Sequence, residues 1–127
     1  MTKKQNIDAE EIEKFDELAK TWWDTKGDFK SLHQINPIRV SFIEKRVDLR
    51  SKKILDVGCG GGLLSEALSN LGAEVTAIDA SEKTINIAKA HAKEVNSKVH
   101  YVKTSTEEFL NKRPELKFDV ITCLEML

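Results

Sequence analysis

An open α/β fold built on a parallel sheet is what this sequence predicts, and three observations predict it. Short apolar runs alternate with helix-patterned segments from Lys53 onward. Four glycines occupy positions 58–62, directly behind the first of those runs. An aspartate, Asp79, closes the second run about twenty positions after the first glycine. Strands that alternate with helices bury a parallel sheet through right-handed crossovers. The expected strand order is 3-2-1-4.

Each element has a local reason. Asp8 followed by Glu11 has the form of a capping box, and Ile12, Phe15, Leu18, Ala19 and Trp22 recur at helical spacing, which predicts a helix over 8–22. The stretch "DTKGDFKSLHQ" reads as a loop. Asn36-Pro37 then predicts the start of a second helix, with Asn as N-cap and Pro at the first helical position. "KILDVG" is a short buried strand, and the helix from Leu63 to Leu71 stops at Gly72. "AEVTAIDA" is the second strand, and Ser81 caps a helix that runs to about Val95. "KVHYVKT" is the third strand, and Ser105 with Glu108 forms a capping box for a short helix ended near Pro114. "KFDVITCL" is the fourth strand, expected to leave an apolar edge open to self-association. Only the short helix near 106–112 is expected to cover one sheet face. Residues 1–50 read as an N-terminal helical cover and 51–127 as a cofactor-binding half, in one structural domain.

Composition narrows the function. Charged residues make up 32% and apolar residues 40%, and the net charge is −1 with both signs interleaved. A nucleic-acid surface would show a basic stripe, so nucleic acid is not an expected partner. No apolar run approaches the about eighteen residues of a membrane span. The start, "MTKKQNIDAEEIEKF", has no apolar core of a signal peptide, so the cytoplasm is the expected compartment. Cys59 and Cys123 are too few and too far apart to form a disulfide or zinc framework and are expected to be reduced thiols.

The glycine loop, "ILDVGCGGGLLSEAL", admits three ligands. A P-loop requires G-x-x-x-x-G-K-[ST], and here Leu63, Leu64 and Ser65 stand where the Lys would be needed. The dinucleotide fingerprint G-x-G-x-x-G finds Gly58 and Gly60, but its third position falls on Leu63. That disfavours a nicotinamide-linked oxidoreductase. The stretch does fit D-x-G-x-G-x-G, with Asp56, Gly58, Gly60 and Gly62. A carboxylate ahead of bare backbone suits a cationic, phosphate-free ligand. S-adenosylmethionine is such a ligand, with an ammonium and a sulfonium. Asp79, at the carboxyl end of the second strand, is placed to accept both hydroxyls of its ribose. The bland alternatives are a glycine turn kept for tight packing and an Asp that merely caps the next helix.

"WWDTKGDFKSLHQINPIR", "ILDVGCGGGLLSEAL" and "DVITCLEML" together resemble the ubiquinone-biosynthesis O-methyltransferases. These are Rossmann-like class I enzymes that use S-adenosylmethionine to methylate a hydroxyl of a polyprenylated hydroxyphenol or catechol. The resemblance runs from about Glu11 to Leu127. It implies that Arg39 contacts the cofactor's methionine carboxylate, that Gly58 and Asp79 are cofactor positions, and that Leu124 borders the cofactor. It also implies that Thr104 to Thr106 flank the adenine, that Trp22 and Trp23 belong to a cover over the site, and that His33 borders the substrate. Glu125 matches an acidic position where some members bind a divalent ion, Mg²⁺.

Members of that family continue beyond the position of Leu127 with further strands and the substrate-binding region. The chain therefore resembles the cofactor half of such an enzyme, a truncated form whose own activity is in question. Expected partners are a small-molecule quinone precursor, the periphery of the inner membrane or a biosynthetic complex, and a second chain at the fourth strand. Two other functions stand beside the leading one. One is a remnant that binds S-adenosylmethionine without turnover, and the other is a methyltransferase for a different small acceptor.

Overall fold

The computed structural model describes the backbone of residues 2–123 and the side chains of residues 13–123. Two helices, α1 (Thr2–Trp23) and α2 (Lys30–Glu44), precede an alternating series. That series is β1 (Lys53–Val57), α3 (Leu63–Asn70), β2 (Glu74–Asp79), α4 (Glu82–Val95), β3 (His100–Lys103), α5 (Thr106–Lys112) and β4 (Val120–Thr122). All pairings are parallel and the order is β3-β2-β1-β4, as the βαβ pattern predicts.

Alternation along β1 distributes its side chains to two cores. Ile54 joins Leu64, Leu68, Ala77, Ile85, Ala88 and Tyr101 on the face covered by α3 and α4. Leu55 and Val57 point the other way, to Ile78 and Phe109. Phe109 is the α5 residue that closes that second face, with Phe118 and Val102 packed at its rim. Among the described residues, that face is covered by one seven-residue helix, as predicted.

The helix starts differ from expectation in two places. α1 begins at Thr2, so Asp8 lies inside the helix and not at its start. Residues 2–7 contain no Pro or Gly to stop helix propagation, and the capping-box pattern alone does not create an end. α2 begins at Lys30, so Asn36 is not its N-cap and Pro37 lies in its interior. Tertiary contacts hold the first turns that the loop-like composition concealed. His33 Nε2 bonds the Trp22 carbonyl at 2.9 Å, and Asn36 Nδ2 donates to the Leu63 carbonyl at 3.2 Å. Pro37 gives up its own N–H and sets its ring against the carbonyl four residues back, a cost of about 3 kcal/mol that the helix carries in its interior.

The two serine caps hold. Ser81 Oγ accepts from Thr84 N–H at 3.3 Å, and Ser105 Oγ accepts from Glu108 N–H at 3.1 Å. The reciprocal arm expected at Ser105 is replaced, because the Glu108 carboxylate binds Lys112 Nζ at 2.9 Å and meets the Thr104 hydroxyl. That exposed ion pair holds the Glu108 carboxyl below the usual range.

Candidate functional site

The loop from Gly58 to Gly62 leaves β1 at the carboxyl end of the sheet, where ligands of open α/β folds bind. Gly58 N–H and Cys59 N–H both donate to the Ile78 carbonyl, at 2.9 and 3.1 Å, which ties the loop to β2. Gly62 N–H turns back to the Cys59 carbonyl and opens α3.

Against this loop lies a cavity of about 110 Å³. Arg39, Asp56, Gly58 and Gly60 line it, together with Trp22, Leu32, Asn36, Cys59, Leu63 and Leu64. Four of the residues expected at the cofactor thus share one space. A guanidinium and a carboxylate on the walls of one small cavity match the two ends of an amino acid, its carboxylate and its ammonium.

Asp56 is only 3% exposed, and its carboxylate is clamped. Ser65 Oγ donates to Oδ2 at 2.5 Å and Thr122 Oγ1 donates to Oδ1 at 2.8 Å. These donors come from α3 and β4, so Asp56 holds strand and helix together as well as facing the cavity. Sequence reasoning missed Ser65 and Thr122. The signal available was a serine within the apolar run "LLSEAL", a position that burial permits only with a hydrogen-bond partner.

Asp79 stands one strand away and grips the loop itself. Its Oδ2 accepts from Gly60 N–H at 3.0 Å and its Oδ1 from Ser81 N–H at 2.8 Å. The carboxylate retains further lone pairs for a diol, but its contacts here are to backbone. It therefore shares the α4 start with Ser81.

Gly62 is placed differently from the expectation. It is absent from the cavity wall, and a Cβ there would collide with the Tyr101 hydroxyl. With φ at +94°, it is bare for the helix start and for Tyr101. Thr104 likewise stays with the fold, its N–H on the Asp79 carbonyl at 3.0 Å and its hydroxyl on the Ser105 carbonyl at 3.0 Å. His33 is engaged with the Trp22 carbonyl and packs edge-on to Trp23. Leu124 and Glu125 lie outside the described residues. Among the described residues, no three His, Cys, Asp or Glu side chains group as a metal site.

Cys59 and Cys123 are both free thiols, the first buried and the second exposed. Burial, helped by the carboxylates of Asp56 and Asp79, pushes the Cys59 thiol far above its ordinary range. It acts as a small wall residue and not as a nucleophile.

Residues 54–127 match the sequence profile of the family described as "Methyltransferase domain". The chain belongs to that methyltransferase family. Its relatives include the ubiquinone biosynthesis O-methyltransferase of Histophilus somni (strain 2336), 51% identical over 127 residues, covering 97% of this chain and 53% of that protein. The protein of the same name from Dechloromonas aromatica (strain RCB) is 52% identical over 122 residues, covering 96% and 52%. The chain spans about half the length of the curated relatives it matches. Among solved structures, it is similar to magnesium protoporphyrin IX methyltransferase (ChlM) from Synechocystis PCC 6803 with bound SAM. That similarity has a TM-score of 0.68 at 26% identity, over 89% of this chain and 56% of the other. The methyltransferase domain thus has a neighbour of the same fold that holds S-adenosylmethionine. The charge pair on its cavity wall fits the same ligand, and the Leu63-Leu64 helix start does not fit a nucleoside triphosphate.

Proposed function

We propose that the chain carries the cofactor site of an S-adenosylmethionine-dependent O-methyltransferase of ubiquinone biosynthesis. The acceptor is a hydroxyl of a polyprenylated hydroxyphenol or catechol. The observation that carries this reading is the cavity that brings Arg39 and Asp56 together at the glycine loop. The names of the relatives at about half identity support the acceptor class.

S-adenosylmethionine, when bound, supplies a methyl group on a sulfonium, which an acceptor oxygen displaces in line. The residues of this chain position that ligand. Arg39 receives its carboxylate, Asp56 its ammonium, and Asp79 its ribose, with Leu124 at the border. Because Ser65 and Thr122 already hold Asp56, little ordering is left to do when the ligand arrives. The same reading gives Glu125 to Mg²⁺ beside the acceptor, and no step of it runs through the metal. It also gives the protein a peripheral place at the inner membrane or in a biosynthetic complex, supported by the lipid-like acceptor. No described helix is long and apolar enough to cross a membrane.

Turnover is the test. The chain, incubated with S-adenosylmethionine and a prenylated catechol, is expected to form methyl ether and S-adenosylhomocysteine. Binding without product would move the reading to a non-catalytic remnant. Product only from other small phenols would move it to another acceptor.

A further inference from the structure

Trp22 packs against the glycine loop. A Cβ at Gly61 would fall on the indole Nε1, and one at Gly60 would meet Cζ2 at 3.6 Å. The indole therefore lies flush on two glycines while it lines the cavity shared by Arg39 and Asp56. Pockets that enclose ligands of cofactor size measure about 300–1,000 Å³. The space beside the indole, about 110 Å³, is well below that. That space is short of the whole ligand, whose ribose the same reading gives to Asp79 outside its wall, and the indole covers the Gly60 and Gly61 backbone where the methionine end would lie.

The indole is also poorly held there. Its Nε1–H is buried and has no hydrogen-bond partner, so leaving the loop costs no hydrogen bond and restores one to water or ligand. Phe29 stacks on it at 4.3 Å, at the end of the short connection to α2. The Nε1–H of the next residue, Trp23, is equally buried and without a partner, and the two indoles differ in their ring contacts. Trp23 stacks face to face on His91, with centroids 3.6 Å apart and planes 5° off parallel. His91 Nδ1 is in turn 2.8 Å from Glu66 Oε2. The end of α1 is anchored through Trp23, and Trp22 can turn without undoing that anchor.

We propose that Trp22 is a gate on the cofactor cavity, its indole lying on Gly60 and Gly61 and rotating away as the ligand enters, while Trp23 stays on His91. This rests on the reading of the cavity as the S-adenosylmethionine site. A gate lowers apparent affinity by the fraction of molecules that stand open, and removing it returns that factor.

The test follows Trp22 emission in a Trp23→Phe chain, where it is the only indole left of two, as S-adenosylmethionine is added. Calorimetry on the unaltered chain, Trp22→Phe and Trp22→Ala runs beside it. The expected result is an emission shift with the calorimetric midpoint, and Trp22→Ala binding about tenfold tighter, with Trp22→Phe between. If Trp22→Ala does not melt cooperatively, the emission shift and Trp22→Phe decide. Binding that leaves Trp22 emission unmoved, or that weakens in the smaller variants, overturns the gate and leaves the cofactor reading standing. Binding by Trp22→Ala but not by the unaltered chain supports both. No binding by any of them overturns the cofactor reading and the gate with it.

Discussion

Asp56 shows how one side chain serves fold and site together. Its carboxylate is buried, faces the cavity, and takes hydroxyls from Ser65 and Thr122. Ser65→Ala leaves a buried oxygen short of a donor, and a loss of about 1–3 kcal/mol in unfolding free energy is expected, read from urea denaturation. Glu66, the next residue, is buried too, and it titrates differently. Burial raises its carboxyl above the ordinary range, and the His91 hydrogen bond pulls it part of the way back. The folded chain then binds that proton more tightly than the unfolded chain does. Its contribution to stability is full below the ordinary carboxyl range and is lost as the pH rises through the raised folded value. Melting temperatures taken from pH 4 to 7 are expected to show this descent, and Glu66→Gln to flatten it.

The glycine loop is the element on which the account depends, and its glycines do different work. Gly58 and Gly60 line the cavity, whereas Gly61 and Gly62 make room for Trp22 and Tyr101. Gly62→Ala is expected to destabilise by about 1–3 kcal/mol, from overpacking against the Tyr101 hydroxyl and a positive φ. Tyr101→Phe removes that hydroxyl, which is buried without a partner, so it should cost little alone and recover part of the Gly62→Ala loss. A double-mutant cycle with no coupling would contradict this packing. What the sequence made legible follows the same division. Strand order, the serine caps and the gathering of Asp56, Gly58 and Gly60 came from local pattern and spacing, and Arg39 joined them only through the family resemblance. The start of α2 did not, because bonds from His33 to Trp22 and Asn36 to Leu63 are long-range and leave no periodic trace. Nor did the contact of Gly62 with Tyr101, since a D-x-G-x-G-x-G string does not say which glycine faces a ligand and which a neighbouring strand.

For the whole molecule, the outer side of α2 and the β4 edge form one apolar face. Ile38, Phe42 and Ile121 are 68%, 58% and 64% exposed, around a groove of about 520 Å³. Among the described residues β4 pairs with β1 alone, and a strand edge with apolar neighbours recruits further strands, so this chain is expected to self-associate with rising concentration. Sedimentation equilibrium checks this, and Ile121→Lys should shift the distribution towards monomer. The central claim, that Arg39, Asp56 and the glycine loop form a site for S-adenosylmethionine, is tested most directly by calorimetric titration. The chain is titrated with S-adenosylmethionine and, separately, with NAD, with Asp79→Ala as control. The account predicts heat from S-adenosylmethionine alone and its loss in Asp79→Ala. Binding of NAD in its place, or binding of S-adenosylmethionine that Asp79→Ala leaves intact, would contradict it.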